Sequence, residues 1–184
     1  LRFKKSGYTG ITNMTALIPS LAIVIPCYNE EEMLPKTLAT MLALRDGMIA
    51  RGKINNESKI YLVDDGSKDK TWEILSREAA QNPALVGVKL SRNKGHQNAL
   101  YAGLCTTTED ITVSIDADLQ DDPQNIEAMV DEYLKGNDVV YGVRSARNTD
   151  TFFKRFTAEG YYHLMKKMGV DLVFNHADFR LLSR

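Results

Sequence analysis

Cysteine is scarce in this chain, with only Cys27 and Cys105 among 184 residues. Two cysteines give neither a disulfide framework nor a metal-ligand spacing, which points to a reduced, cytosolic setting. Cys27 ends an apolar run and reads as a small buried hydrophobe rather than a nucleophile. A large charge of either sign is missing too. The formal net charge is −1, so no global field draws in nucleic acid, and any basic partner site must be local. No apolar run is long enough to span a bilayer; the best, Leu17 to Tyr28, is short and carries Pro19 and Pro26. A cleavable signal pattern is absent. G-x-G-x-x-G does not follow the first apolar run, and G-x-x-x-x-G-K-[ST] does not occur, which argues against a dinucleotide enzyme and a P-loop ATPase or kinase. His96, His163 and His176 lack metal spacing and carry no chemistry in this reading.

What is present is ordinary for one globular domain: 43% hydrophobic and 26% charged residues. Residues 1–20 read as an N-terminal extension, polar and aperiodic over 1–13, with Met14 a candidate native start. Residues 21–184 read as a single domain. No closing signal precedes Arg184, so the natural protein is expected to continue.

Five short β-branched or apolar runs predict strands: Leu21–Ile25, Lys59–Val63, Val86–Leu90, Ile111–Ile115 and Val139–Val143. Helical stripes lie between them. One is expected to start at Asn29, with Glu32 completing a capping box, and to carry Leu34, Leu38 and Met41 inward. Ser67 or Asp69 is expected to cap the next, Ala99–Leu104 to form a short one, and Asp122-Pro123 to open the last. Strands alternating with amphipathic helices predict an α/β fold with a parallel, doubly wound sheet. Ligands of such sheets sit beyond the carboxyl ends of the strands. Asn29, Asp64, Asp65, Asn93, Asp116, Asp118 and Arg144 all fall there.

The most informative stretch is Asp116-Ala117-Asp118, where an apolar strand stops. Residues two apart on extended backbone point the same way, so both carboxylates can converge. Like charges that close repel unless a cation lies between them. Mg2+ or Mn2+ fits, with Gln120 as a neutral oxygen ligand and phosphate in the remaining positions. A calcium loop counted from Asp116 would put Glu127 at its twelfth place. It fails at the sixth, where Asp121 replaces the required glycine. Read alone, Asp64-Asp65-Gly66 is equally a solvated turn, and Asn93-Lys94-Gly95 a plain polar loop.

Taken in order, Pro26-Cys27-Tyr28-Asn29-Glu30, Val63-Asp64-Asp65-Gly66-Ser67, Asn93-Lys94-Gly95 and Asp116-Ala117-Asp118-Leu119-Gln120 resemble family 2 glycosyltransferases of the GT-A fold. The nearer likeness is to polyprenyl-phosphate glycosyltransferases of the bactoprenol glucosyltransferase and dolichol-phosphate mannose synthase group. It extends to Tyr141-Gly142-Val143-Arg144 and Asp178-Phe179-Arg180-Leu181. The resemblance implies a mostly parallel, Rossmann-like central sheet flanked by helices and an inverting, metal-dependent transfer. The donor would be a nucleotide-sugar, with a UDP-sugar favoured.

The same resemblance implies roles by position. Pro26, Tyr28, Asn29, Glu30, Asp64, Asp65, Asn93, Gly95, Asp116 and Ala117 would surround the donor. Asp116, Asp118 and Gln120 would hold the metal. Asp118 and Asp178 would be catalytic, with Asp178 near the acceptor, and Arg144 and Arg180 would bind acceptor phosphate. The acceptor would be a polyprenyl phosphate at the inner face of the cell membrane. A saccharide acceptor is the rival within the family. Phe152, Phe153 and Phe156, interleaved with Lys154 and Arg155, could lie in a membrane surface or pack on the domain; both readings stand.

Overall fold

A computed structural model of the chain describes residues 18–143 and 176–184, with the backbone alone for 143 and 176–178. Strand β1 (Leu21–Cys27) is buried at every residue. It pairs in parallel with β2 (Lys59–Asp64) on one side and with β4 (Ile111–Ser114) on the other. Strand β3 (Leu85–Lys89) lies beyond β2, also parallel. On the far side β6 (His176–Ser183) runs antiparallel between β4 and β5 (Val139–Val143). The order is β3-β2-β1-β4-β6-β5. A mixed α/β fold with a mostly parallel sheet is therefore what the chain adopts. The antiparallel β6 is the departure: sequence periodicity marks five strands and omits this one.

Helices α1 (Leu34–Ala50), α2 (Thr71–Gln81) and α4 (Asn125–Leu134) cover one face of the sheet, and α3 (His96–Thr106) covers the other. Period-two alternation on β1 assigns the faces. Leu21, Ile23 and Ile25 pack with Leu38 and Met41 of α1, Leu75 of α2 and Met129 of α4. Ala22 and Val24 pack instead with Ala99 and Leu100 of α3. Burying each large aliphatic side chain this way contributes roughly 1.5–3 kcal/mol.

Helix starts differ from those expected. α1 begins at Leu34, not Asn29, because Asn29 takes φ 55° and the N–H groups of residues 29–31 bond to another loop. Pro35 in the first turn costs nothing, since the N–H it lacks would have had no partner there. α2 begins at Thr71, with Asp69 accepting the Thr71 N–H at 3.0 Å just outside it. α3 runs from His96 rather than Ala99. α4 begins at Asn125, and Asp122 closes a preceding turn by accepting the Gln124 N–H at 3.0 Å. Strand β1 continues through Pro26 to Cys27, and β3 sits one residue earlier than expected.

The strand order reverses at β1, since β2 and β3 lie to one side and β4 to the other. A crevice opens there beyond the carboxyl ends. α3 reaches it by lying close on the sheet. A methyl group on Gly103 would stand 2.4 Å from Val24 Cγ1 and 2.9 Å from Val63 Cγ2. Alanine in a helix is favoured over glycine by about 1 kcal/mol, whereas overpacking a rigid core costs about 1–3 kcal/mol. The steric cost wins here because both neighbours are on the sheet. Gly103→Ala is expected to lower the urea midpoint, and an unchanged or higher midpoint would refute this close packing.

Candidate active site

A cavity of about 320 Å³ lies at the crevice. The end of β1 contributes Pro26, Cys27, Tyr28 and Glu30 to its wall. Asp65 closes the β2 side, and Asp116, Ala117 and Asp118 the β4 side. Asn93, Gly95 and His96 come from the approach to α3. Most of the predicted donor residues thus meet at one place. Asn29, Asp64 and Gln120 are not part of the lining.

Two loops are laced together below the rim. Ser67 Oγ accepts the Asn29 N–H at 3.0 Å, Thr71 Oγ1 the Glu30 N–H at 2.8 Å, and Asp69 Oδ2 the Glu31 N–H at 3.1 Å. In return Asn29 Oδ1 accepts the Lys68 N–H at 2.8 Å and Glu31 Oε2 the Lys70 N–H at 2.9 Å. Asparagine tolerates the left-handed backbone this arrangement needs. In the structure the Asn29 side chain holds a loop outside the lining.

The two aspartates after β2 behave differently. Asp65 is 3% exposed, and its oxygens accept the N–H groups of Lys94 at 2.7 Å and Gly95 at 2.9 Å. It seats the 92–95 loop. Gly66 makes the seat possible: at φ 67°, a Cβ there would stand 2.6 Å from both Arg92 C and Asn93 N. Asp64 is fully buried, with Oδ1 accepting the Ser67 N–H at 3.2 Å. Its Oδ2 has no hydrogen-bond partner among the described residues. Neither aspartate belongs to a solvated turn.

After β4 the chain turns so that Ala117 O accepts the hydroxyl of Thr37 at 2.7 Å, a bond buried under α1. Leu119 then takes φ 56°, and Asp118 Oδ1 accepts the Gln120 N–H at 3.1 Å. Asp116 is partly exposed, and Asp118 and Gln120 are more open to solvent. Burial raises the Glu30 carboxyl above its ordinary range, and the charges of Asp118 and Asp69 raise it further. Burial also pushes the Cys27 thiol up, with Glu30 and Asp64 adding to the effect, so this cysteine is inert.

Among the described residues no three His, Cys, Asp or Glu side chains converge to cage a metal. Mg2+ and Mn2+ do not need such a cage. They take one or two carboxylates and fill their other positions with water and phosphate. Asp116 and Asp118, partly open to the cavity beside the raised Glu30, fit that donor set. Gln120 remains outside the lining.

The acceptor side is less complete. Arg180 lies in β6 opposite Ser114 of β4, and its Nε is buried without a partner among the described residues. Asp178 belongs to the β6 backbone. Its side chain lies outside the description, as do Arg144 and residues 152–168. Sequence reasoning missed His96. Its Nε2 is 3.5 Å from Asp116 Oδ1, across 20 positions of chain that no spacing rule links.

Residues 22–184 match the family described as Glycosyl transferase family 2. The chain is 49% identical over 168 residues to YkoT of Bacillus subtilis (strain 168), an uncharacterized glycosyltransferase, covering 90% of this chain and 50% of that protein. It is 38% identical over 168 residues to the bactoprenol glucosyl transferase of Shigella phage SfX, covering 89% and 52%. The chain therefore spans about half the length of these curated relatives. A solved glucosyl-3-phosphoglycerate synthase from Mycobacterium tuberculosis, in complex with Mn2+, UDP and phosphoglyceric acid, has a TM-score of 0.61 at 20% identity. That match covers 90% of this chain and 56% of that one. The likeness shows the GT-A fold.

Asp65→Asn tests the loop seat. The amide presents an N–H₂ group to one of the two backbone donors, leaving that donor unpaired at a cost of about 1–3 kcal/mol. Lower thermal stability and faster tryptic cleavage after Arg92 or Lys94 are expected. Cleavage at the wild-type rate would show that Asp65 does not hold the loop.

Proposed function

This chain belongs to glycosyl transferase family 2, and we propose that it transfers a sugar from a UDP-sugar to a polyprenyl phosphate at the inner face of the cell membrane. The observation that carries this reading is that Asp116 and Asp118 line one cavity together with Tyr28 and Glu30. The names of the bactoprenol glucosyl transferase relatives support the lipid-phosphate acceptor. The UDP and Mn2+ bound in the Mycobacterium tuberculosis enzyme agree with the donor and the metal.

Asp116 and Asp118 would hold a divalent cation. When bound, it supplies charge neutralisation to the diphosphate leaving group. Tyr28 offers an aromatic face at the cavity wall for a nucleobase. Asp65 keeps Asn93 and Gly95 in position by fixing their loop. Asp64, buried with an open acceptor oxygen beneath the site, is suited to a base or ribose donor group that reaches it. Thr37 anchors the peptide between the two metal-holding carboxylates. Inversion follows if the acceptor oxygen attacks the face of the sugar opposite the diphosphate.

A phosphate monoester acceptor changes what is asked of Asp178. Its second pKa is about 6, so it is mostly ionised near neutral pH and needs little deprotonation. Asp178 would then orient the acceptor, and Arg144 and Arg180 would meet its charge. The segment 152–168 would bring the domain to the bilayer surface. Among the described residues no helix is long and apolar enough to cross a membrane.

Calorimetry with UDP and GDP, each with and without Mn2+, tests the donor site. UDP is expected to bind only with Mn2+ and more tightly than GDP. Asp116→Asn and Asp118→Asn are each expected to weaken binding at least about tenfold, as loss of a charge-assisted ligand should. No binding by the wild type, or full binding by both variants, would remove the reading. A transfer assay with polyprenyl phosphate tests the acceptor side. Losing a general base costs about 10²–10⁴ in rate, so Asp178→Asn turnover within tenfold of wild type supports an orienting role. A larger loss would make Asp178 the base, and transfer to oligosaccharides alone would overturn the lipid acceptor.

A further inference from the structure

We propose that His96 contacts the diphosphate of the bound donor; this rests on the nucleotide-sugar reading above. The charge balance of the cavity motivates it. Glu30, Asp65, Asp116 and Asp118 line the wall, and His96 is the one basic side chain among the described lining residues. A divalent cation held by Asp116 and Asp118 would neutralise only part of the negative charge that those carboxylates and the diphosphate bring together. The remainder must be met by other groups, in a wall that is otherwise acidic.

The location of His96 fits that task. Its Nε2 stands 3.5 Å from Asp116 Oδ1, so the ring edge lies beside a carboxylate assigned to the cation. The remaining positions of such a cation go to water and phosphate. The His96 side chain is 43% exposed, so it is not filling the core. Its backbone is the first residue of α3 and directly follows the loop that Asp65 and Gly66 seat. Ala99, three residues on and on the same side of the helix, also lines the cavity, so the first turn of α3 borders it as the helix packs on the sheet. An imidazole N–H can donate to a phosphate oxygen in the neutral ring as well as in the charged one. The contact therefore does not depend on the protonation state of the ring.

Three variants and two probes test it. His96→Phe keeps a ring and removes the N–H, His96→Ala removes both, and His96→Gln keeps a donor. UDP with Mn2+ is measured by calorimetry, and Mn2+ alone by electron paramagnetic resonance. His96→Phe and His96→Ala are expected to weaken UDP about tenfold, the effect of losing one charge-assisted hydrogen bond, while His96→Gln recovers part of the loss. Mn2+ binding and the unliganded melting temperature are expected to stay at wild-type values. Wild-type UDP affinity in both His96→Phe and His96→Ala overturns the inference and leaves the donor site standing. A fall in Mn2+ affinity equal to the fall in UDP affinity also overturns it, placing His96 with Asp116 instead of with phosphate. A wild type that binds neither UDP nor GDP with Mn2+ removes the donor site and the inference together.

Discussion

A strand buried on both sides must find partners for both rows of its backbone groups, and β1 meets this with parallel neighbours on each side. β2 carries the chain one way and β4 the other. Their connections leave in opposite directions at the carboxyl ends, and nothing of the sheet fills the gap between them. The cavity is a consequence of that arrangement. Each loop at its rim then has backbone donors to satisfy, and the rim is built from the side chains that satisfy them.

The polar residues of the rim serve in two ways. Ser67, Thr71, Asp69, Asn29, Asp65 and Thr37 direct their oxygens at backbone N–H groups or, for the Thr37 hydroxyl, at a carbonyl. They set the shape of the loops. Asp116, Glu30 and His96 border the open space, and Asp65 and Asp118 do both. Loops already held by their own hydrogen bonds have less freedom to lose when a ligand arrives, and that loss is one of the costs of binding. Glu30 stands among these carboxylates, and its own carboxyl is raised chiefly by burial, with the charges of Asp118 and Asp69 adding to it. Positive charge in the cavity would offset the repulsion among these carboxylates.

Much of this was legible along the chain. The runs at 21–25, 59–63 and 111–115 are strands because continuous β-branched and aliphatic residues suit a strand buried on both faces. The acidic motifs ended those strands, so their convergence followed from the parallel sheet. Less was legible where a residue's partner is remote. Asn29 looked like a helix cap and instead bridges to Lys68. Asp65 looked like half of a matched pair, yet it holds a loop while Asp64 keeps an oxygen unpartnered among the described residues. The antiparallel direction of β6 left no periodic trace, since a short run reads the same either way.

The sequence alone determined five of the six strands, their alternation with helices, and the order of the acidic motifs, because hydrophobic period and motif spacing are relations between chain neighbours. Tertiary structure decided which N–H each carboxylate meets, that His96 stands by Asp116, and that Gly66 and Gly103 touch their neighbours too closely for a side chain. Those are relations across the sheet. They depend on the angle and distance at which packed elements meet, and packing is set by the whole core at once.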